Sequence, residues 1–140
     1  MITVMKTGAK RKLEIKTWEI KTDRLKRTDG SLRIVFLADL HDRLWGEGQE
    51  QLLEAIDSLK ADLILGAGDM LVAKNDVRYQ EALDFVSRLP QLCPVYYASG
   101  NHEQRIKENQ ENYSLCYEEY RKTLQAEGVR FLENESCDIL

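Results

Sequence analysis

Leu32-Arg33-Ile34-Val35-Phe36-Leu37-Ala38 is a short, mostly apolar run that breaks into Asp39-Leu40-His41. Its length and its β-branched and aromatic content suit a strand covered on both faces. The same grammar repeats downstream. Leu52, Leu53, Ile56 and Leu59 recur at helical spacing, and Asp62-Leu63-Ile64-Leu65 follows as a second short strand. Val77, Ala82, Val86 and Leu89 predict a second helix, capped by Asn75 or Asp76 and closed by Pro90. Val95-Tyr96-Tyr97-Ala98 is a third strand. Tyr113, Tyr117, Tyr120 and Leu124 predict a third helix that ends at Gly128, before a strand from Val129 to Leu132. Strands alternating with helices of about three turns imply crossovers and a mostly parallel sheet. The fold class is α/β.

Upstream, Leu13 to Ile20 alternates apolar and charged residues and shifts phase at Thr17-Trp18. This predicts a half-buried strand at about 12–21 with a bulge near Thr17. The turn signal Asp29-Gly30 separates residues 1–30 from residues 31–140. The first segment carries nine Lys/Arg against four Asp/Glu, the second eleven against twenty. At the other end, Cys137-Asp138-Ile139-Leu140 reads as the opening of a further strand, so the second segment is expected to be truncated at its C-terminus.

Composition excludes several classes. A chain of 140 residues, 43% hydrophobic and 31% charged, is an ordinary globular chain rather than a disordered or fibrous one. A net charge of -4 gives no general pull towards nucleic acid. Three cysteines without a Cys-x-x-Cys pair suggest neither a disulfide framework nor a thiolate zinc site. No run is long enough to span a membrane and no signal-peptide pattern is present, so a cytoplasmic or membrane-associated location is expected. The basic stretch Lys6 to Arg27 could rest peripherally on anionic lipid, although a solvated strand face is the ordinary reading.

In an open parallel sheet, ligands collect outside the carboxyl ends of the strands. The successive exits here are Asp39-Leu40-His41, Gly66-Ala67-Gly68-Asp69 and Ser99-Gly100-Asn101-His102-Glu103. They bring Asp, His, Asp, Asn and His to one edge, and both histidines of the chain are used there. Carboxylate with imidazole suits manganese, iron or zinc. An extended Asp-x-His would turn both side chains to one side, since residues i and i+2 share a face. Each piece alone is ordinary: a capping aspartate, a strand-to-turn dipeptide, a helix-capping Asn. Gly66-x-Gly68 lacks the third glycine of a dinucleotide loop, Leu71 standing in its place. The order of the three exits carries the signal.

Asp39-x-His41, Gly68-Asp69 and Gly100-Asn101-His102-Glu103 resemble the motifs of the calcineurin-like metallophosphoesterases, in particular the small bacterial phosphohydrolases often tethered to a membrane. The resemblance runs from about Leu32 to the end and implies the first half of an α/β/β/α sandwich. It also implies a two-metal site for manganese, iron or zinc that hydrolyses a phosphate ester, a phosphodiester among the choices. Asp39 and His41 would bind one ion, Asp69 would bridge, Asn101 would bind the second, and His102 would assist the leaving group. Glu103 would either orient the His102 imidazole or be a solvated helix-start residue. The family draws further ligands from later histidine motifs, and no histidine follows residue 102 here. The 140 residues are therefore expected to be inactive as they stand, with self-association through uncovered apolar surface. Two rival readings are a non-catalytic α/β module that binds a single cation, a phosphate or a partner protein, and a structural half-domain completed by another chain. Trp45 is expected either to flank the substrate pocket or to cover the sheet edge, and the tyrosine stripe to serve as packing.

Overall fold

The computed structural model describes residues 2–7, 13–24, 30–74 and 79–139. One sheet organises them. Its strands are β1 (Ile2–Thr7), β2 (Leu13–Trp18), β3 (Ile34–Leu37), β4 (Leu63–Gly66), β5 (Val95–Tyr97) and β6 (Val129–Phe131), in the order β2-β1-β3-β4-β5-β6. β1 pairs antiparallel with β2, and every other neighbouring pair is parallel. The architecture is α/β with a mostly parallel sheet. The four helices are α1 (Glu50–Ser58), α2 (Tyr79–Arg88), α3 (Asn101–Glu108) and α4 (Tyr117–Ala126).

In α1, α2 and α4 the apolar spacing is the face the helix buries. α1 buries Leu52, Leu53 and Ile56; α2 buries Ala82, Phe85 and Val86; α4 buries Tyr117, Tyr120 and Leu124. All pack in one cluster with Val35 and Leu37 of β3, Ile64 of β4, Val95 and Tyr97 of β5, and Phe131 of β6. From β3 to β6 every crossover steps the same way across the sheet, which collects the helices on one face. At the alternate positions only Leu63 is buried, while Ile34, Phe36, Leu65 and Tyr96 are half-buried and Arg130 is exposed. Such a half-covered apolar face favours association. Sedimentation at micromolar concentration is expected to show dimers or larger species. A monomer at all concentrations would contradict that expectation.

Several sequence expectations change. β2 pairs with β1 in unbroken register from Ile2 against Trp18 to Thr7 against Leu13, so there is no bulge at Thr17. As the outermost strand it is exposed beyond Leu13 rather than half-buried, which leaves Ile15, Trp18 and Ile20 open to solvent. Its phase shift reflects this lack of a buried face. Tyr113 is extended and precedes α4 instead of lying in it. Residues 135–139 form no strand. Asn75, Asp76 and Val77, expected to open α2, lie outside the described residues, as do Asp29 and Leu140. Gly128 does end the last helix, with φ of +100°.

Candidate metal centre

Past the ends of β3 and β4 the two chains continue side by side. The Asp39 N–H donates to Gly68 O (3.2 Å), His41 N–H to Asp69 O (3.0 Å) and Asp42 N–H to Met70 O (3.2 Å). The exits are not extended. Asp39, His41, Asp42 and Asp69 all have positive φ, between 51° and 56°, the left-handed region that Asp and His enter more readily than most residues. Four such residues in two short loops store backbone strain where side chains must converge. Asp39 and His41 thus meet through left-handed turns, not through the alternation of a strand.

They converge on a small cluster. Ligand-type atoms of Asp39, His41 and Asp69 all lie within 4.8 Å of one another. His41 Nε2 is 3.6 Å from Asp39 Oδ1 and 4.0 Å from Asp69 Oδ2. Neither distance is a hydrogen bond, and His41 Nε2 is buried with no hydrogen-bond partner. Donors each about 2.1 Å from one tetrahedral ion lie about 3.4 Å apart, so the spacing suits a shared cation. An unpartnered imidazole nitrogen facing two carboxylates fits a divalent ion of the manganese, iron or zinc kind.

Asp69 is set from behind. Its Oδ1 accepts the His102 N–H at 2.8 Å, which leaves Oδ2 on the side of His41. Gly68 and Gly100 permit this close approach: a Cβ on Gly68 would lie 2.0 Å from Gly100 N, and Gly68 has φ of +81°. The His102 ring stands edge-on to that of His41, with centroids 5.1 Å apart. His102 Nδ1 accepts the Ala73 N–H at 2.9 Å. In the neutral ring the proton is therefore on Nε2, making that atom a hydrogen-bond donor. Asn101 opens α3 on the same edge and is exposed.

Glu103 neither orients His102 nor faces solvent. It is 0% exposed, and its oxygens accept from the backbone N–H groups of Asp69 (2.8 Å), Met70 (2.9 Å) and Gly100 (3.1 Å) and from Tyr97 OH (2.7 Å). Trp45 is buried in the core rather than placed over a pocket. Its backbone N–H donates to the buried Gln49 Oε1, and Gln49 Nε2 donates to Arg43 O. Asp42, which the sequence did not single out, accepts the Val72 N–H at 3.2 Å. Burial, reinforced by Glu81 and Glu103, raises its carboxyl from 3.8 to about 6.

A second polar cluster lies beside the third exit. Glu133 accepts from Tyr117 OH (2.6 Å), Ser99 Oγ (3.1 Å) and Lys107 Nζ (2.9 Å). Nothing in the local sequence marks Glu133, because its partners come from three other elements. The Tyr117 bond, with help from Lys107 and Ser99, lowers its carboxyl from 4.5 to about 2. Since the folded value lies below the unfolded one, this stabilisation is complete above about pH 4.5 and fades as pH falls towards 2. Partial exposure screens it to about 1 kcal/mol. Glu133→Gln is expected to flatten that part of the pH dependence of urea unfolding between pH 6 and 3. An equal pH dependence in the variant and the wild type would remove Glu133 from the account.

Residues 32–137 match the model of the calcineurin-like phosphoesterase family. The chain belongs to that family. No curated protein and no solved structure matches it. As a calcineurin-like phosphoesterase it joins a family whose chemistry depends on divalent metals, and the Asp39–His41–Asp69 group is the cluster that could hold one. Among the described residues no helix is long and apolar enough to cross a membrane.

Proposed function

We propose that these residues carry the ion-binding edge of a two-metal phosphoester hydrolase. The observation behind this reading is His41 Nε2, buried, unpartnered and facing two carboxylates. Asp39 and His41 would hold one ion, Asp69 Oδ2 would face both, and Asn101 would offer a neutral oxygen to the second. Two divalent ions, when bound, would polarise the phosphoryl group and make an attacking hydroxide available near neutral pH. The protein's own part is positional. The left-handed turns aim Asp39 and His41, the His102 N–H fixes Asp69, and the Ala73 N–H leaves the His102 Nε2–H free to donate to the departing ester oxygen. Asp69 and Asn101 alone are too few for a second ion, which would need further ligands beside these two.

The test is calorimetric titration with Mn²⁺, followed by assay on an aryl phosphate and on an aryl phosphodiester. Among the described residues three ligand-type groups converge, Asp39, His41 and Asp69, which favours a second reading, a module that binds a single cation without catalysis. One ion per chain, with no hydrolysis even when a polypeptide supplying further ligands is added, would select that reading.

A further inference from the structure

A carboxylate withdrawn fully from water is costly unless donors meet its oxygens. Glu103 has four donors, and three are backbone amides of the loops that leave β4 and β5. Asp69 and Met70 are on one loop, and Gly100 is on the other. The bonds to Asp69 and Gly100 both end on Oε2, so one atom ties the loops together where Gly68 and Gly100 leave no room for a Cβ. Resting on the functional reading above, we propose that Glu103 is a positioning residue for the ion site. It holds the two loops in register and through them sets the grip of Asp39, His41 and Asp69 on a divalent cation, which it never touches. The β4 exit meets α3 a second time where the His102 N–H holds Asp69 Oδ1. Asp69 is thus held twice by the first turn of α3, through its own backbone N–H on Glu103 and through its carboxylate on the His102 N–H. Freeing the first grip lets a residue with φ of +55° relax away from the cluster.

Glu103→Gln keeps the shape but turns an NH₂ towards groups that are themselves donors. Disturbing the partners that orient a ligand commonly costs 10–100-fold in metal affinity. Mn²⁺ titration is therefore expected to show Glu103→Gln binding at least about tenfold more weakly than wild type. Leu124→Ala opens a cavity on α4, outside the hydrogen bonds that Glu103 makes, so it lowers stability and is expected to bind as wild type does. In the absence of metal, the amides of Asp69, Met70 and Gly100 should exchange hydrogen at least about tenfold faster in Glu103→Gln and unchanged relative to neighbouring amides in Leu124→Ala. Should Glu103→Gln fail to fold, Tyr97→Phe decides. It removes the phenol that donates to Glu103 Oε1 and neighbours Tyr120, and should still speed exchange at Met70, the amide sharing Oε1 with that phenol, and weaken Mn²⁺ binding by about two- to fivefold. Wild-type affinity in the variant that folds, or equal weakening in Leu124→Ala, would overturn the proposal. If wild type itself takes up no Mn²⁺, the metal reading fails and the positioning role for an ion fails with it, while the amide exchange still reports whether Glu103 ties the two loops.

Discussion

Asp69→Asn is expected to bind Mn²⁺ at least about 100-fold more weakly than wild type, because it removes a ligand where disturbing a ligand's partners already costs 10–100-fold. The substitution is nearly isosteric, and asparagine tolerates the left-handed backbone that residue 69 adopts. Its carbonyl oxygen can still accept the His102 N–H that Asp69 Oδ1 accepts, so the loop should keep its place. The loss is then electrostatic. The group facing His41 Nε2 changes from a charged oxygen to half of a neutral amide, in a side chain only 12% exposed. Without metal, the variant should be as stable as wild type or slightly more so, since a poorly solvated charge has gone. Asp57→Asn, an exposed aspartate paired with Lys60 on α1, controls for general charge. Titration curves that coincide for Asp69→Asn and wild type would remove Asp69 from the site.

The parts of the fold that could be read in the sequence were those whose signal is apolar periodicity. β3, β4, β5 and β6 are runs of three or four residues rich in Val, Ile, Leu, Tyr and Phe, and α1, α2 and α4 carry a stripe at helical spacing. α3 escaped that reading for a physical reason. In Asn101-His102-Glu103-Gln104-Arg105-Ile106-Lys107-Glu108 the only apolar residue is Ile106, and the other buried anchor is the Glu103 carboxylate. A helix held in place by a buried acid has no hydrophobic period to find. β1 (Ile2–Thr7) was missed although it is longer than β3 to β6, because its place is topological: it pairs with β3 and carries β2 on its outer side.

The site shows the same division. The sequence brought Asp39, His41, Asp69, Asn101 and His102 to one edge because strand exits in a parallel sheet share an end. It gave the wrong reason for Asp39 and His41, since i and i+2 alternation needs extended backbone and both residues are left-handed. Glu103 and Glu133 show what local pattern cannot supply. The partners of Glu103 include amides 33 and 34 residues away, and those of Glu133 lie on β5's exit, α3 and α4. Long-range hydrogen bonding, rather than composition, decides what such residues do.

His102→Ala should separate turnover from metal content in any polypeptide that supplies the remaining ligands. The ring is held by the Ala73 N–H on Nδ1 and stands 5.1 Å from that of His41, so Nε2–H is the donor available to a leaving oxygen. Removing a proton donor at that position should lower turnover about 10²- to 10⁴-fold. Metal content should hold, because the bond from residue 102 to Asp69 Oδ1 comes from the backbone N–H, which alanine keeps. Asp39→Ala and Asp69→Ala should instead lose metal and activity together. Aryl esters refine the test. A leaving phenol of low pKa departs without proton assistance, so His102→Ala should be impaired far more on esters of weakly acidic phenols than on those of strongly acidic ones. Equal impairment across the series would mean that His102 holds the phosphate rather than helping the leaving group. Unimpaired turnover with metal still bound would take His102 out of the chemistry altogether.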